Sequence, residues 1–274
     1  MGNTQRKDYD TTGNPETRNP DWMSFLPDGK SICNLSIPGT NNSMHCSGGD
    51  AHQHQSWNLN SQYEAGIRFI DVGLKYSGRK LVVAPSNQGT RYFDAILKVT
   101  IDYLKKYSKE TILMRIYEEI GMYGRKPEFR DLVTRYAEEA GMSWFWTSSS
   151  IPTLGQSRGK IIILRDYYGS KIGIPYQNLN IYEDNHVASI FNIDQKWSSI
   201  KINLLKAQHS AGDQMYLTFT SGCSMAAYPY TVARSINFSL YKTLEQMKNE
   251  KNKLGIIAMD FPGSFLIQLI LKNN

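Results

Sequence analysis

The feature that most constrains the fold is a repeated alternation of short apolar runs with amphipathic stretches. "TILMRIY" (111–117), "KIIILRDY" (160–167), "MYLTFTS" (215–221) and "GIIAMDF" (255–261) are rich in β-branched and aromatic residues. Near-continuous apolar runs of this length suit strands covered on both faces. "CNLSI" (33–37), "RFIDVGLKY" (68–76) and "KLVVA" (80–84) read as further strands. Between them, "FDAILKVTIDYLKKY" (93–107) sets Ile96, Leu97, Thr100, Ile101 and Leu104 on one helical face. Further helices are expected over 58–67, where Gly66 would cap the end, and over 127–140, 196–208, 231–249 and 264–272. Repeated strand–helix units with covered strands predict a parallel α/β architecture. No GxGxxG loop follows the first strand, so an irregular (β/α) barrel of the TIM type is expected rather than an open sheet.

The 274 residues carry no internal repeat and no linker-like shift after residue 25. One domain over 24–274 follows, preceded by a polar arm at 1–23 with Gly13, Pro15 and Pro20, expected to be flexible. Hydrophobic content of 41% and charged content of 20% describe a soluble globular chain. The net charge of +6 is spread over "GRK" (78–80), "KK" (105–106) and "KNEKNK" (248–253). Such scatter argues against nucleic acid and leaves only weak attraction to anionic membrane surfaces. Three cysteines without CxxC spacing argue against a disulfide framework and suit a reducing compartment. "MGNTQRKDYD" has no apolar leader, and "FPGSFLIQLIL" is too short to span a membrane, so a cytoplasmic location is expected. Arg6 stands where a myristoylation motif needs Ser or Thr, and no cofactor motif is present.

In a barrel of this type, chemistry gathers at the C-terminal strand ends. Those positions hold Asn41 and Asn42, Asp71 and Gly73, Pro85 and Ser86, Tyr117 to Glu119, Arg165 and Asp166, and Asp260. Carboxylates are present, but none of these strand ends carries a histidine. The loop "SMHCSGGDAHQHQ" holds His45, Cys46, Asp50, His52 and His54. Its His-x-His spacing beside an acid is one that zinc or copper can use, and His45 is a candidate relocated base. The plainer reading is a solvated polar loop. Glu118 and Glu119 read as a solvated strand end, and Trp144 and Trp146 in "SWFWTS" as packing residues rather than a membrane rim.

"LSIPGTNNSM", "QYEAGIRFIDVGL", "KLVV", "SKETILMRIYEE", "RGKIIIL", "YLTFTS" and "GIIAMDFPG" occur in that order. Together they resemble the X-domain of phosphatidylinositol-specific phospholipase C, in its bacterial-type, single-domain form. The resemblance implies a phosphoric diester reaction in which the inositol 2-hydroxyl attacks the lipid phosphorus. It places the general base at Asn41, its supporter at Asn42, the phosphate-binding arginine at Gly73 and the general acid at Pro85 or Ser86. It places a further basic residue at Tyr117, retains Asp71 and Asp260, and matches Asp184 and His186 to inositol contacts.

Acid–base groups contribute about 10²–10⁴-fold each, and a charge stabiliser about 10²–10³-fold. With base, acid and arginine all replaced, the family's reaction is not expected to run. Asn42 and Asp71 are also too few hard ligands to hold calcium. The expected function is a catalytically disabled phospholipase C-like barrel. Its mouth (Asn41, Asn42, Asp71, Tyr117, Asp184, His186 and Asp260) would hold a small polar or inositol-type ligand. Two alternatives remain at this stage: an active phosphodiesterase with chemistry relocated to the His45 region, with His45, His52 and His54 as a possible metal set, or a structural barrel.

Overall fold

In the computed structural model of the protein, residues 2–83, 91–119, 128–169, 172–247 and 251–274 are described. Among these residues, ten strands form one sheet: β1 (Ser36–Thr40), β2 (Phe69–Ser77), β3 (Lys80–Val83), β4 (Arg91–Tyr92), β5 (Ile112–Glu118), β6 (Ile161–Asp166), β7 (Ile174–Pro175), β8 (Asn180–Tyr182), β9 (Tyr216–Phe219) and β10 (Gly255–Met259). The helices are α1 (Leu59–Ala65), α2 (Phe93–Lys106), α3 (Glu128–Ala140), α4 (Leu154–Ser157), α5 (Ile193–His209), α6 (Pro229–Gln246) and α7 (Ser264–Leu271). The main order is β7-β6-β5-β2-β1-β10-β9-β8, with every neighbouring pair parallel. The sheet curls into an irregular single-domain α/β barrel whose end strands, β7 and β8, do not pair among the described residues.

Parallel register and side-chain alternation sort the residues into layers. Ile37, Phe69, Leu113, Ile162, Leu164, Leu217, Phe219, Ile256 and Ala258 pack together inside the barrel. The alternate residues Ile70, Val72, Met114, Ile116, Ile161 and Ile163 pack outward beneath α1, α2 and α3, while Ile257 and Met259 meet α5 to α7. Gly39 is glycine because the interior is tight there: a Cβ would meet Phe69 Cβ at 2.8 Å. Continuing each inner row upward brings Asn41, Asp71, Arg115, Asp166, Ser221 and Asp260 to one end of the barrel.

Three expectations are corrected. The first strand begins at Ser36 rather than residue 33, because Ile32–Asn34 form a short 3₁₀ turn closed by Asn34 N–H on Ser31 O. "KLVV" is not a parallel barrel strand: β3 pairs antiparallel with β2 across Gly78 and Arg79, both at positive φ, and β4 extends that hairpin. A two-residue loop with both residues left-handed matches the twist of paired antiparallel strands. Residues 2–23 do not form a loose arm either. Asp8, Tyr9 and Asp10 are buried, Gly263 N–H donates to Asp8 O, and Leu266 N–H donates to Lys7 O. Trp144 packs against the outer cluster and Trp146 against the inner one. No described helix is long and apolar enough to cross a membrane.

Candidate functional site

The turn after β1 explains its two asparagines. Asn42 adopts φ 44°, a left-handed conformation that asparagine tolerates better than most residues. Its N–H donates to Asp71 Oδ2 at 3.1 Å, and Ser43 Oγ accepts from Asp71 N–H at 2.8 Å. Thr40, Ser43 and Gln62 form a buried network beneath, with Gln62 donating to Ser43 O and Trp57 O. The turn is therefore held rigidly against β2.

Asn41 is buried and donates to Asp260 Oδ1 at 3.0 Å. Its Nδ2 also lies 3.3 Å from His54 Nδ1, and His54 Nδ1 is 3.1 Å from the same Asp260 oxygen. Gln55 fixes this corner by donating to Asn41 O and Met259 O, while Phe261 N–H donates to His54 O. Burial disfavours the imidazolium, but the charge and hydrogen bond of Asp260, with Asp71 behind, outweigh it and raise the His54 pKa above its ordinary value.

Opposite stands Arg115 on β5, 7% exposed. Its guanidinium donates to Asp71 Oδ1 at 3.3 Å, to Glu183 Oε1 at 3.0 Å and to Asp166 Oδ2 at 2.7 Å. The rings of Tyr176, Tyr117 and Phe219 lie 4.3, 4.7 and 5.4 Å from its Cζ. Burial alone would weaken its charge, but Asp71, Tyr176, Glu183 and Asp166 more than compensate and hold it protonated. Asp71 is pushed up to about 6 by burial, against the pull of Arg115 and the Asn42 N–H.

Tyr117 fills the space above Gly73. A Cβ at residue 73 would lie 2.5 Å from Tyr117 OH and 2.5 Å from Glu119 Oε1. The phenol then donates to Asn42 Oδ1 at 3.1 Å, linking the β5 and β1 ends. Burial, with the charges of Asp71 and Glu119, pushes the Tyr117 hydroxyl well above its ordinary pKa, so it stays a donor.

The structure brings Asn41, Asn42, Asp71, Gly73, Tyr117 and Asp260 together at the barrel mouth. Asp184 and His186 stand apart from this cluster: both are exposed, and Asp184 Oδ1 accepts from His186 N–H at 3.3 Å. Their neighbour Glu183 is the residue that reaches Arg115, and it also accepts from Tyr176 OH at 3.0 Å. Pro85 and Ser86 lie outside the described residues. His52 is exposed, the His45 and His54 rings are 5.9 Å apart, and no group of three or more metal-ligating side chains forms among the described residues. The sequence reading overlooked Arg115, Glu183 and Tyr176, and it weighed His54 only as a ligand.

No protein-family profile matches the chain. Its relatives include the 1-phosphatidylinositol phosphodiesterase of Listeria monocytogenes, 29% identical over 285 aligned positions covering 92% of this chain and 84% of that one. The enzyme of the same name from Staphylococcus aureus strain Newman is 25% identical, covering 88% of each chain. Among solved structures, the Listeria phosphatidylinositol-specific phospholipase C superposes with a TM-score of 0.82 at 28% identity, covering 94% of this chain and 99% of that one. A Staphylococcus aureus phospholipase C structure, at 23% identity and TM-score 0.79, agrees in fold. In sequence and in architecture, this chain is similar over nearly its whole length to bacterial phosphatidylinositol-specific phospholipases C.

Proposed function

We propose that this barrel does not cleave phosphodiesters and that its mouth binds a small, hydroxyl-rich, uncharged ligand of the inositol type. The observation that carries the reading is the closure of Arg115. A guanidinium held by Asp71, Asp166 and Glu183 has no charge left to offer a phosphate, and the surplus of carboxylates repels one. Asn41 is likewise committed to Asp260 and cannot take up a proton. The neutral acceptors and donors that remain suit hydroxyl groups. The names of the relatives, which specify phosphatidylinositol, support an inositol-like shape for the occupant. The three cysteines, none of them in a disulfide among the described residues, suit a reducing compartment and hence a cytoplasmic setting. Contact with a membrane surface would be weak and would not depend on phosphate capture.

The test is calorimetric titration of the purified protein with myo-inositol and, separately, with inorganic phosphate. Binding of inositol without binding of phosphate is expected. Tighter binding of phosphate, or no binding of inositol, contradicts the proposal. A second reading rests on one observation, the His54–Asp260 pair: an active phosphodiesterase whose base has moved to the histidine loop, at His54 rather than His45. Turnover of phosphatidylinositol abolished by His54→Gln would favour it.

A further inference from the structure

We infer that His54 replaces the missing imidazole of the mouth: its Nδ1–H is locked on Asp260 and its Nε2 accepts a hydroxyl from the bound ligand. This rests on the reading of the mouth as a hydroxyl-binding site. It assigns the anchoring contact to a residue that neither the strand-end pattern nor the family positions indicate.

Three observations converge. The first is geometric: His54 Nδ1 is 3.1 Å from Asp260 Oδ1, and Asp260 is 1% exposed. A buried carboxylate orients an imidazole and selects the tautomer with the proton on the facing nitrogen. The second is rigidity. Backbone bonds from His54 N–H to His45 O and from Phe261 N–H to His54 O, with Gln55 pinned on Asn41 O and Met259 O, fix the ring without help from a ligand. The third is the state of the far nitrogen. The two hydrogen-bonding contacts of the ring both use Nδ1. Nε2 has no partner among the described residues, yet it is not one of the sealed, unpartnered atoms, and the residue keeps 8% exposure. Because Asn41 Nδ2 can only donate, its contact with the Nδ1 edge is subordinate to its bond with Asp260.

The groups facing His54 are few. Asp260 comes from the end of β10, Asp71 from β2 and His45 from the same loop, while Lys196 and Cys223 face Asp260 from α5 and the loop after β9. The two aspartates favour the imidazolium. A protonated ring cannot accept at Nε2, so ligand affinity rises with pH as His54 loses its proton.

Two measurements test this on the intact protein. Nitrogen-15 NMR of the histidine rings, recorded at a pH where His54 has lost its second proton, reads the tautomer; Nδ1–H with a bare Nε2 is expected, and Nε2–H with a bare Nδ1 overturns the inference. Titration with myo-inositol across pH 5–8 should give affinity rising with pH. His54→Gln should weaken that affinity about tenfold, the loss expected for one hydrogen bond to a polarised acceptor, and flatten the pH dependence. Equal binding and an equal pH profile in His54→Gln sinks the role of His54 while leaving the mouth as the site. No binding by the native protein at any pH removes the hydroxyl site itself, and the anchoring role with it.

Discussion

The hydroxyl of Tyr117 stands 2.5 Å from where a side chain on Gly73 would begin. The two residues sit opposite each other in the β2–β5 register, so the absence of a side chain on one strand is what admits the ring on the other. The tyrosine thus occupies the room that any side chain at residue 73 would need.

Gly73→Ala should therefore destabilise the protein by about 1–3 kcal/mol, the usual cost of forcing atoms into a packed site. Adding Tyr117→Ala should recover much of the loss, because the obstructing ring is gone. Thermal denaturation of the three variants checks this. Additive losses would mean that the two residues do not compete for space.

Closure of Arg115 predicts a gain of function on removing its partners. Glu183→Gln with Asp166→Asn leaves Asp71 as its remaining carboxylate partner and relieves the negative surplus. Inorganic phosphate should then bind where the native protein binds none. Titration calorimetry at low ionic strength reads it, since screening weakens such contacts.

Asp71 gives a pH dependence of definite sign. Its folded pKa, about 6, lies above the usual unfolded value of about 3.9. The fold prefers the protonated acid, so this contribution to stability is full below the unfolded pKa and is lost as pH rises towards the folded one. Asp71→Asn cannot titrate and should gain stability relative to the native protein between pH 4 and pH 7, by on the order of 2 kcal/mol. Urea unfolding at several pH values measures it, and a pH-independent difference would contradict the assignment.

Below the barrel, Arg68 and Glu110 form a buried ion pair at 2.8 Å, both side chains 0% exposed. Arg68→Met should cost about 3–5 kcal/mol, because it leaves the Glu110 carboxylate buried and unpaired. Arg68→Met with Glu110→Leu should recover most of that, and the midpoint of urea unfolding reads both.

Much of the barrel was legible because continuous apolar runs and helical stripes are local signals. The covered strands "TILMRIY" and "KIIILRDY" became β5 and β6 nearly as read. Pairing direction is not a local signal, and β3 therefore read as a barrel strand although Gly78–Arg79 is a hairpin turn. In the site, strand-end positions and the family resemblance pointed to Asp71, Gly73 and Tyr117. Arg115 was hidden by its apolar neighbours and by partners distant in the chain: Asp166 is 51 residues away and Glu183 is 68. His54 was hidden because no periodicity governs a loop. Its place is set by Gln55 and by the backbone of Phe261, which meet it only in the folded chain.

The most direct measurement is an assay of purified protein on phosphatidylinositol vesicles, watching for cyclic inositol phosphate, with calcium, with zinc and with chelator. The account predicts no product above the protein-free control under any of the three conditions. Product formed by the native protein and lost in His54→Gln would contradict it and make the His54–Asp260 pair part of a working phosphodiesterase.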